Sequence, residues 1–284
     1  MARKHNIIVV GNGLFGSIAA TYARAEGHTV TVVSEKRPYA ASAASGCVLA
    51  PSWLSSLSKP EIADSMAVLE HLYTVHPIEF STNILKKFKA HRVDPADVLV
   101  QPDIDAKVIS VADGVVKYAE PHSAGTQRVG TLRGDVLVAA GIWSQELITG
   151  MPPIKGLYGA SLRVPGALNE PKINVYAPYR QAVGFNIGRK EIWFGDGTAL
   201  IQNTWMKEEA ERIKTTQERA AKMMGISPPL VKPKVHMGAR PVVEGRKGGY
   251  LEQVSPKLWV STGGAKNGTV LAALQAMMFV EALK

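Results

Sequence analysis

Gly11-Asn12-Gly13-Leu14-Phe15-Gly16 follows the apolar run Ile7-Ile8-Val9-Val10 and opens a helical pattern that continues to about Glu26. Glycine at the first position permits a tight turn out of a strand. At the second it lets backbone approach a pyrophosphate, and at the third it lets helix and strand pack closely. A helix beginning here directs unpaired N–H groups and the positive end of its dipole beyond the turn, where an anion is favoured. Gly27 suits a C′ residue, Thr29–Ser34 reads as a β-branched second strand, and Glu35 stands at its end. An acid in that place accepts hydrogen bonds from ribose hydroxyls. Lys36 and Arg37 come next and leave open the recognition of an NADP 2′-phosphate.

Working outward, residues 39–50 are small and contain Gly and Ser, which suits a loop and helix start pressed against a ligand. Residues 60–76 read as a helix with Pro60 at N1 and Ile62, Met66, Leu69 and Tyr73 on one face. A strand pair is expected over 78–93 and a hairpin with an Asp-Gly turn over 107–118. Asp135–Gly141 reads as a buried strand running into a glycine turn. Residues 155–200 alternate strand-like segments with Gly and Pro, 206–224 form a charged helix, and 235–250 look turn-rich. A strand over 257–261 and a Gly-rich turn into a final apolar helix complete the order. Nucleotide-type elements at the start, middle and end, with sheet-like segments between, predict an α/β fold. In it a Rossmann-like dinucleotide-binding domain (1–77, 94–150 and 236–284) is interleaved with a smaller antiparallel-sheet substrate domain (78–93 and 151–235); the cofactor itself is implied only by the resemblance given below.

The 284 residues carry 46% hydrophobic and 20% charged side chains, the composition of a globular protein with a core. No apolar run is long enough to span a membrane, and residues 1–5 lack the apolar segment of a signal peptide. Cys47 is the only cysteine, which excludes an intrachain disulfide and favours a cytoplasmic setting, the host cytoplasm if the chain is phage-encoded. The seven histidines show no metal-ligand spacing, and His236 reads as structural. Thirty-three Lys and Arg against twenty-four Asp and Glu give a formal charge of +9, which points to an anionic cofactor and leaves open a polyanionic substrate. Basic residues gather at 86–92 (Lys86, Lys87, Lys89, Arg92) and at 232–266 (Lys232, Lys234, Arg240, Arg246, Lys247, Lys257, Lys266), a pattern that suggests an electropositive rim.

Six segments, in order, resemble the FAD-dependent D-amino-acid oxidase and glycine oxidase superfamily, which includes tRNA- and phage DNA-modifying members. They are the opening fingerprint; Ser42-Ala-Ala-Ser-Gly-Cys-Val-Leu; Asp135-Val-Leu-Val-Ala-Ala-Gly-Ile-Trp-Ser; Pro153-Ile-Lys-Gly; Gly238-Ala-Arg-Pro; and Gly263-Gly-Ala-Lys-Asn-Gly-Thr-Val-Leu. The resemblance implies FAD as cofactor. It implies that Gly11, Gly13, Leu14, Phe15, Gly16, Glu35 and Lys36 hold its nucleotide half. Ser42, Ser45, Gly46 and Cys47 would lie along the flavin, and Val108 would meet the adenine through its backbone. Ala140, Gly141 and Trp143 would close over the cofactor. Gly264, Lys266, Asn267, Gly268 and Thr269 would face the flavin N1–C2=O edge, where a helix N-terminus favours the negative charge of the reduced ring. Arg240 matches the arginine that binds a substrate carboxylate, for which a guanidinium is the natural fork. Lys266 matches a basic position beside the flavin. Tyr176 and Tyr179 are candidate pocket residues, with core packing equally open for either; Cys47 is a candidate contact to substrate or flavin but reads better as a small buried hydrophobe.

The implied activity is oxidation of the C–N bond of a glycine-like amine that carries a carboxylate. The amine would be carried on a modified nucleic-acid base of DNA or tRNA, an N-linked glycine on thymine or uracil that leaves an aminomethyl base and glyoxylate. A glycine or D-amino-acid oxidase acting on free amino acids, a non-catalytic flavin-binding subunit and an NADP-dependent reductase remain alternatives.

Overall fold

The computed structural model describes residues 3–50, 54, 56–82, 87–121, 126–187 except 177–179, 189–227, 230, 232–246 and 248–284, with the backbone alone for 175, 176, 180 and 181. The chain opens as its first residues dictate. β1 (Asn6–Val10) is buried on both faces, α1 (Leu14–Ala25) follows the glycine turn, and Gly27 adopts φ 87° to release the chain into β2 (Thr29–Ser34). After the short β3 (Val48–Leu49), α2 (Lys59–Leu72) begins with a capping box in which Ser58 and Glu61 satisfy each other's backbone N–H groups. Its helix stops four residues before the expected end, because Tyr73 turns to extended geometry and leads into β4 (His76–Thr82).

β5 (Phe88–Arg92), α3 (Pro95–Val98) and β6 (Ile104–Asp105) precede a three-stranded antiparallel layer, β7 (Lys107–Ala112), β8 (Val115–Pro121) and β9 (Gln127–Arg133). β10 (Asp135–Val138) and the single turn α4 (Ser144–Leu147) follow. Next come β11 (Ile154–Pro165), β12 (Lys172–Tyr176), β13 (Arg180–Ile187), β14 (Glu191–Gly195), β15 (Leu200–Ile201) and the long helix α5 (Gln202–Met224). The chain finishes with β16 (Lys234–Val243), β17 (Tyr250–Ser255), β18 (Leu258–Thr262) and α6 (Gly268–Glu281).

One sheet has the order β17-β18-β10-β1-β2-β6 and is parallel except for the β17 edge. α1 and α6 pack together on one face of it, with α2 behind them, over a core that includes Ile7, Val9, Ile18, Leu137, Val270 and Phe279. α6 is apolar nearly all round, the composition of a helix with no solvent face, and ten of its residues are buried. The other face is covered by the β7–β8–β9 layer through Val108 and Val116 against Ile8, Val33 and Val136.

The second sheet runs β15-β11-β14-β13-β12-β4-β5-β3, with β16 on the free side of β11. β11 and β16 pair along their length from Ile154–Val243 to Arg163–Lys234. This corrects the turn-rich expectation for 235–250. Gly238 and Pro241 read as breakers in sequence, but β16 is an edge strand, where proline is tolerated, and Gly238 faces Ala41 so closely that a Cβ would come within 2.9 Å of its Cα. The sheet thus takes in residues 236–243, which the sequence-based boundary places with the nucleotide half. α5 starts at Gln202, four residues earlier than its charge pattern suggests. It lays Trp205, Ala220, Ala221 and Met223 toward the sheet and stops at Gly225, φ 71°.

A candidate cofactor and substrate cleft

The C-terminal ends of β1, β2 and β10 open onto a cleft of about 580 Å³, and the facing wall is the surface of β11, β14 and β16. Open α/β sheets present ligand sites at this edge.

The fingerprint glycines divide the labour that the sequence implies. Gly11 holds φ 103°, and a Cβ there would lie 2.6 Å from the Ala139 carbonyl oxygen. Gly16 stands outside the cleft wall and serves packing, since its Cβ would sit 1.8 Å from the Gly11 carbonyl oxygen. Gly13, Leu14 and Phe15 line the cleft at the start of α1. The Leu14 N–H donates to Ser42 Oγ at 2.8 Å, which brings the 42–47 segment to the helix N-terminus. Asn12 is pinned on both sides: its amide donates to the Val100 carbonyl (3.2 Å) and accepts from Ser34 Oγ (2.9 Å).

Glu35 faces the cleft, but Lys36 does not; it points to solvent, and Arg37 takes the inward place. Arg37 Nε donates to Glu35 (2.7 Å), Nη1 donates to Glu146 (2.9 Å), and the guanidinium lies 5.4 Å from the Trp143 ring centre. Burial opposes its charge, yet the bonds to Glu146 and Glu35 carry its pKa upward. Glu146 arrives from a distant turn, so nothing in the Glu35-Lys36-Arg37 sequence announces this arrangement. Val108, Ala140, Gly141 and Trp143 also line the cleft, and Thr262 Oγ1 donates to the Gly141 carbonyl at 3.2 Å.

At the other end, Ser45, Gly46, Cys47, Gly264, Lys266, Gly268 and Thr269 line the wall, with Asn267 behind them as the residue preceding α6. Gly264 touches the other helix start: a Cβ there would come within 2.7 Å of both the Phe15 ring and Gly268 Cα. The Ala265 N–H donates to the Pro241 carbonyl at 3.1 Å, which ties this turn to β16. Lys266 is exposed. Cys47 is buried, and burial pushes its thiol pKa up, so it is a neutral packing group. Two of the wall residues, Cys47 (φ 46°) and Ala265 (φ 43°), hold left-handed backbone without being glycine, as does Tyr39 (φ 59°) beside the wall residue Ala40. Such geometry costs energy and collects at functional sites.

Arg240 enters from β16. Its Nη2 donates to the Thr198 carbonyl, and it forms no ion pair among the described residues. Burial pulls its pKa down, with Asp196 acting in the opposite sense. The space over Gly159 is what the guanidinium uses: a Cβ on Gly159 would lie 2.5 Å from the Thr198 carbonyl oxygen and 3.4 Å from Nη2. Trp193 forms the neighbouring wall, stacked on Phe185 at 5.1 Å, and a Cβ on Gly46 would meet both rings at about 3 Å. Gly159, Trp193 and Thr198 are cleft residues that the sequence reading missed, because they are scattered over two strands and a turn and become neighbours only through sheet pairing.

Tyr176 ends β12, but its side chain and all of Tyr179 lie outside the described residues. His236 lies opposite Ser161 in β11 and does not line the cleft; burial, with Arg163 nearby, pulls its pKa down. The expected electropositive rim is corrected for the described residues. Of the two basic clusters only Arg240 and Lys266 reach the cleft. Arg92 pairs with Asp94 and lies over Phe185, Lys87 pairs with Glu79, and Arg246 lies over Tyr250. Lys86 and Lys247 lie outside the described residues. Among the described residues no group of three or more His, Cys, Asp and Glu is placed to hold a metal, and no helix is long and apolar enough to cross a membrane.

No protein-family profile matches the sequence, and no curated protein matches it. Solved structures do. Glycine oxidase from Geobacillus kaustophilus is similar with a TM-score of 0.67 at 14% identity, over 99% of this chain and 95% of that one. Iminodiacetate oxidase from Chelativorans sp. BNC1 is similar with a TM-score of 0.62 at 13% identity, over 96% and 94%. Glycerol-3-phosphate dehydrogenase from Bacillus halodurans, solved with FAD, is similar with a TM-score of 0.66 at 16% identity; this chain is covered to 99% and spans 64% of that one. The strand–glycine turn–helix opening, the parallel sheet, the facing mixed sheet and these likenesses together give the chain the fold of the FAD-dependent oxidoreductases related to glycine oxidase.

Proposed function

We propose that the chain is an FAD-dependent oxidoreductase that oxidises the C–N bond of a glycine-like amine carrying a carboxylate. The observation that carries this reading is Arg240, a guanidinium without an ion pair among the described residues, in the same cleft as two helix N-termini and the glycine turns that precede them. The residues fit the cofactor. Gly11 and Gly13 leave backbone bare where a pyrophosphate would approach, α1 would offer it its positive end, and Glu35, which lines the cleft, would accept from the ribose hydroxyls. The N-terminus of α6 would face the electron-rich edge of the ring. Asn267 and Thr269 belong to that turn, while Lys36, exposed to solvent, is the least suited of the expected contacts.

The chemistry an FAD supplies when bound is acceptance of a hydride from the carbon next to the amine nitrogen. The protein's own contribution is orientation. Arg240 takes the carboxylate in a fork and Trp193 walls the pocket. Loss of the hydride from carbon and a proton from nitrogen leaves an imine, which water converts to a carbonyl compound and an amine. Lys266, exposed and lining the cleft, would lend positive charge to the reduction of dioxygen.

The finer reading is an amine carried on a nucleic-acid base, and the +9 charge of the chain supports it. The protein reconstituted with FAD and mixed anaerobically with N-substituted glycines should lose its yellow colour; absence of bleaching with any of them rejects the enzyme in favour of a flavin-binding subunit. Mass spectrometry of nucleosides from glycyl-modified DNA or tRNA, before and after incubation, should show an aminomethyl base in place of the adduct. An unchanged nucleoside profile with bleaching by free glycine assigns the activity to free amino acids.

A further inference from the structure

Asp196, 1% accessible, sits between the cleft residues Gly195 and Gly197 without lining the cleft itself, and the mechanism above does not use it. Its carboxylate accepts from the Thr198 N–H at 2.9 Å, from Thr216 Oγ1 at 3.2 Å and from Arg219 Nη1 at 3.0 Å. Thr216 and Arg219 both belong to α5, so the helix behind the sheet holds the acid, and the acid holds the turn that follows β14. The product of that turn is the direction of one carbonyl. Thr198 presents its C=O to Arg240 Nη2, and this is the hydrogen bond that fixes the end of the guanidinium over Gly159. A long side chain with several rotatable bonds loses affinity for a ligand when it must be ordered on binding, and an arginine held in advance does not.

We propose that Asp196 is a positioning residue for carboxylate recognition: it acts through the Thr198 backbone to pre-set Arg240, and α5 supplies the contacts that hold it. This rests on the reading of Arg240 as the carboxylate-binding group. Asp196 does not itself touch the ligand in this scheme. Its charge is taken by Arg219, leaving Arg240 free to accept an anion. Burial lowers the Arg240 pKa, and Asp196 acts in the opposite sense.

The test is a ratio rather than an activity. Calorimetry on the purified protein with N-methylglycine and with N-methylglycinamide compares a carboxylate with an amide of nearly the same shape. The unmodified protein should bind the acid at least tenfold more tightly than the amide. In Asp196→Ala this ratio should fall at least fivefold, and in Asp196→Asn, which keeps an oxygen acceptor for the Thr198 N–H, it should recover to within threefold of the original. Thr216→Val removes one contact to the carboxylate without emptying its site, and should lower the ratio about twofold even if the alanine variant does not fold. A general loosening of the wall weakens both ligands alike and leaves the ratio untouched; that result in the foldable variants overturns the proposal. A ratio near one in the unmodified protein, unchanged by Arg240→Met, overturns the carboxylate role of Arg240 itself and this proposal with it. A high ratio that Arg240→Met abolishes and the Asp196 and Thr216 variants leave alone overturns the Asp196 role only.

Discussion

The two walls of the cleft are built by different rules. The wall proposed for the nucleotide is local in its main part: strand, glycine turn, helix and acid follow one another in residues 6–35, and Val108 and residues 140–143 are added to it from later strands and turns. The substrate wall is assembled at a distance. Arg240 on β16, Gly159 on β11, Trp193 on β14 and Thr198 beyond it become neighbours only because β11 pairs with three other strands. A wall made of contiguous backbone tolerates wide variation in side chains, provided its glycines stay. A wall made of side chains on separate strands depends on register and on what each neighbour leaves empty.

This contrast can be broken or sharpened by substitution. The largest effect is expected from Arg240→Met, which removes the only guanidinium in the cleft that lacks an ion pair among the described residues. Loss of one partner of a buried charge pair costs about 3–5 kcal/mol, so anaerobic flavin reduction by N-methylglycine should slow by roughly two to four orders of magnitude in kcat/KM. FAD affinity, followed by fluorescence quenching, should stay within about twofold. Equal loss of both would mean the walls are not separable.

Gly16→Ala attacks the other wall. Its methyl would overlap the Gly11 carbonyl at 1.8 Å, and the turn must open to admit it. Overpacking of this severity costs about 3 kcal/mol, seen as a lower Tm, and FAD binding should be lost with it. Retention of tight FAD binding would show that the turn is more adaptable than local geometry dictates.

Gly159→Ala is milder and confined to the substrate wall, where its Cβ would lie 2.5 Å from the Thr198 carbonyl oxygen. About 1–3 kcal/mol is expected, appearing as a raised KM for the carboxylate amine with FAD affinity preserved.

The smallest effect concerns Cys47, whose thiol burial pushes above its ordinary pKa of 9.0. The unfolded chain therefore releases this proton first as pH rises. Stability from this group is complete below the ordinary pKa and is lost as pH climbs toward the folded value. Urea midpoints should decline more steeply as pH rises past 9.0 in the parent than in Cys47→Ala. Parallel declines would mean that the thiol ionises as freely in the folded chain as in the unfolded one.

What the sequence made legible follows the same division. β1, α1, β2 and the roles of Gly11, Gly13 and Gly16 could be read because the information is consecutive. Arg240 was legible through its Gly-Ala-Arg-Pro setting. The strand that carries it was not, since Gly238 and Pro241 look like breakers until Ala41 and the free edge of β16 explain them. Arg37 was weighed only as a 2′-phosphate contact; its inward turn depends on Glu146, more than a hundred residues away in sequence. Trp193 and Thr198 carry no local signal, and the basic clusters misled because residues near in sequence face different partners in space.

The starts of α1 and α6 meet across Gly264 and Phe15, although one belongs to the first strand–helix unit and the other to the last. During synthesis, therefore, the start of α1 lacks this contact until residues 263–269 have left the ribosome. A product truncated before α6 would hold a groove open at this end in place of the proposed cofactor cleft.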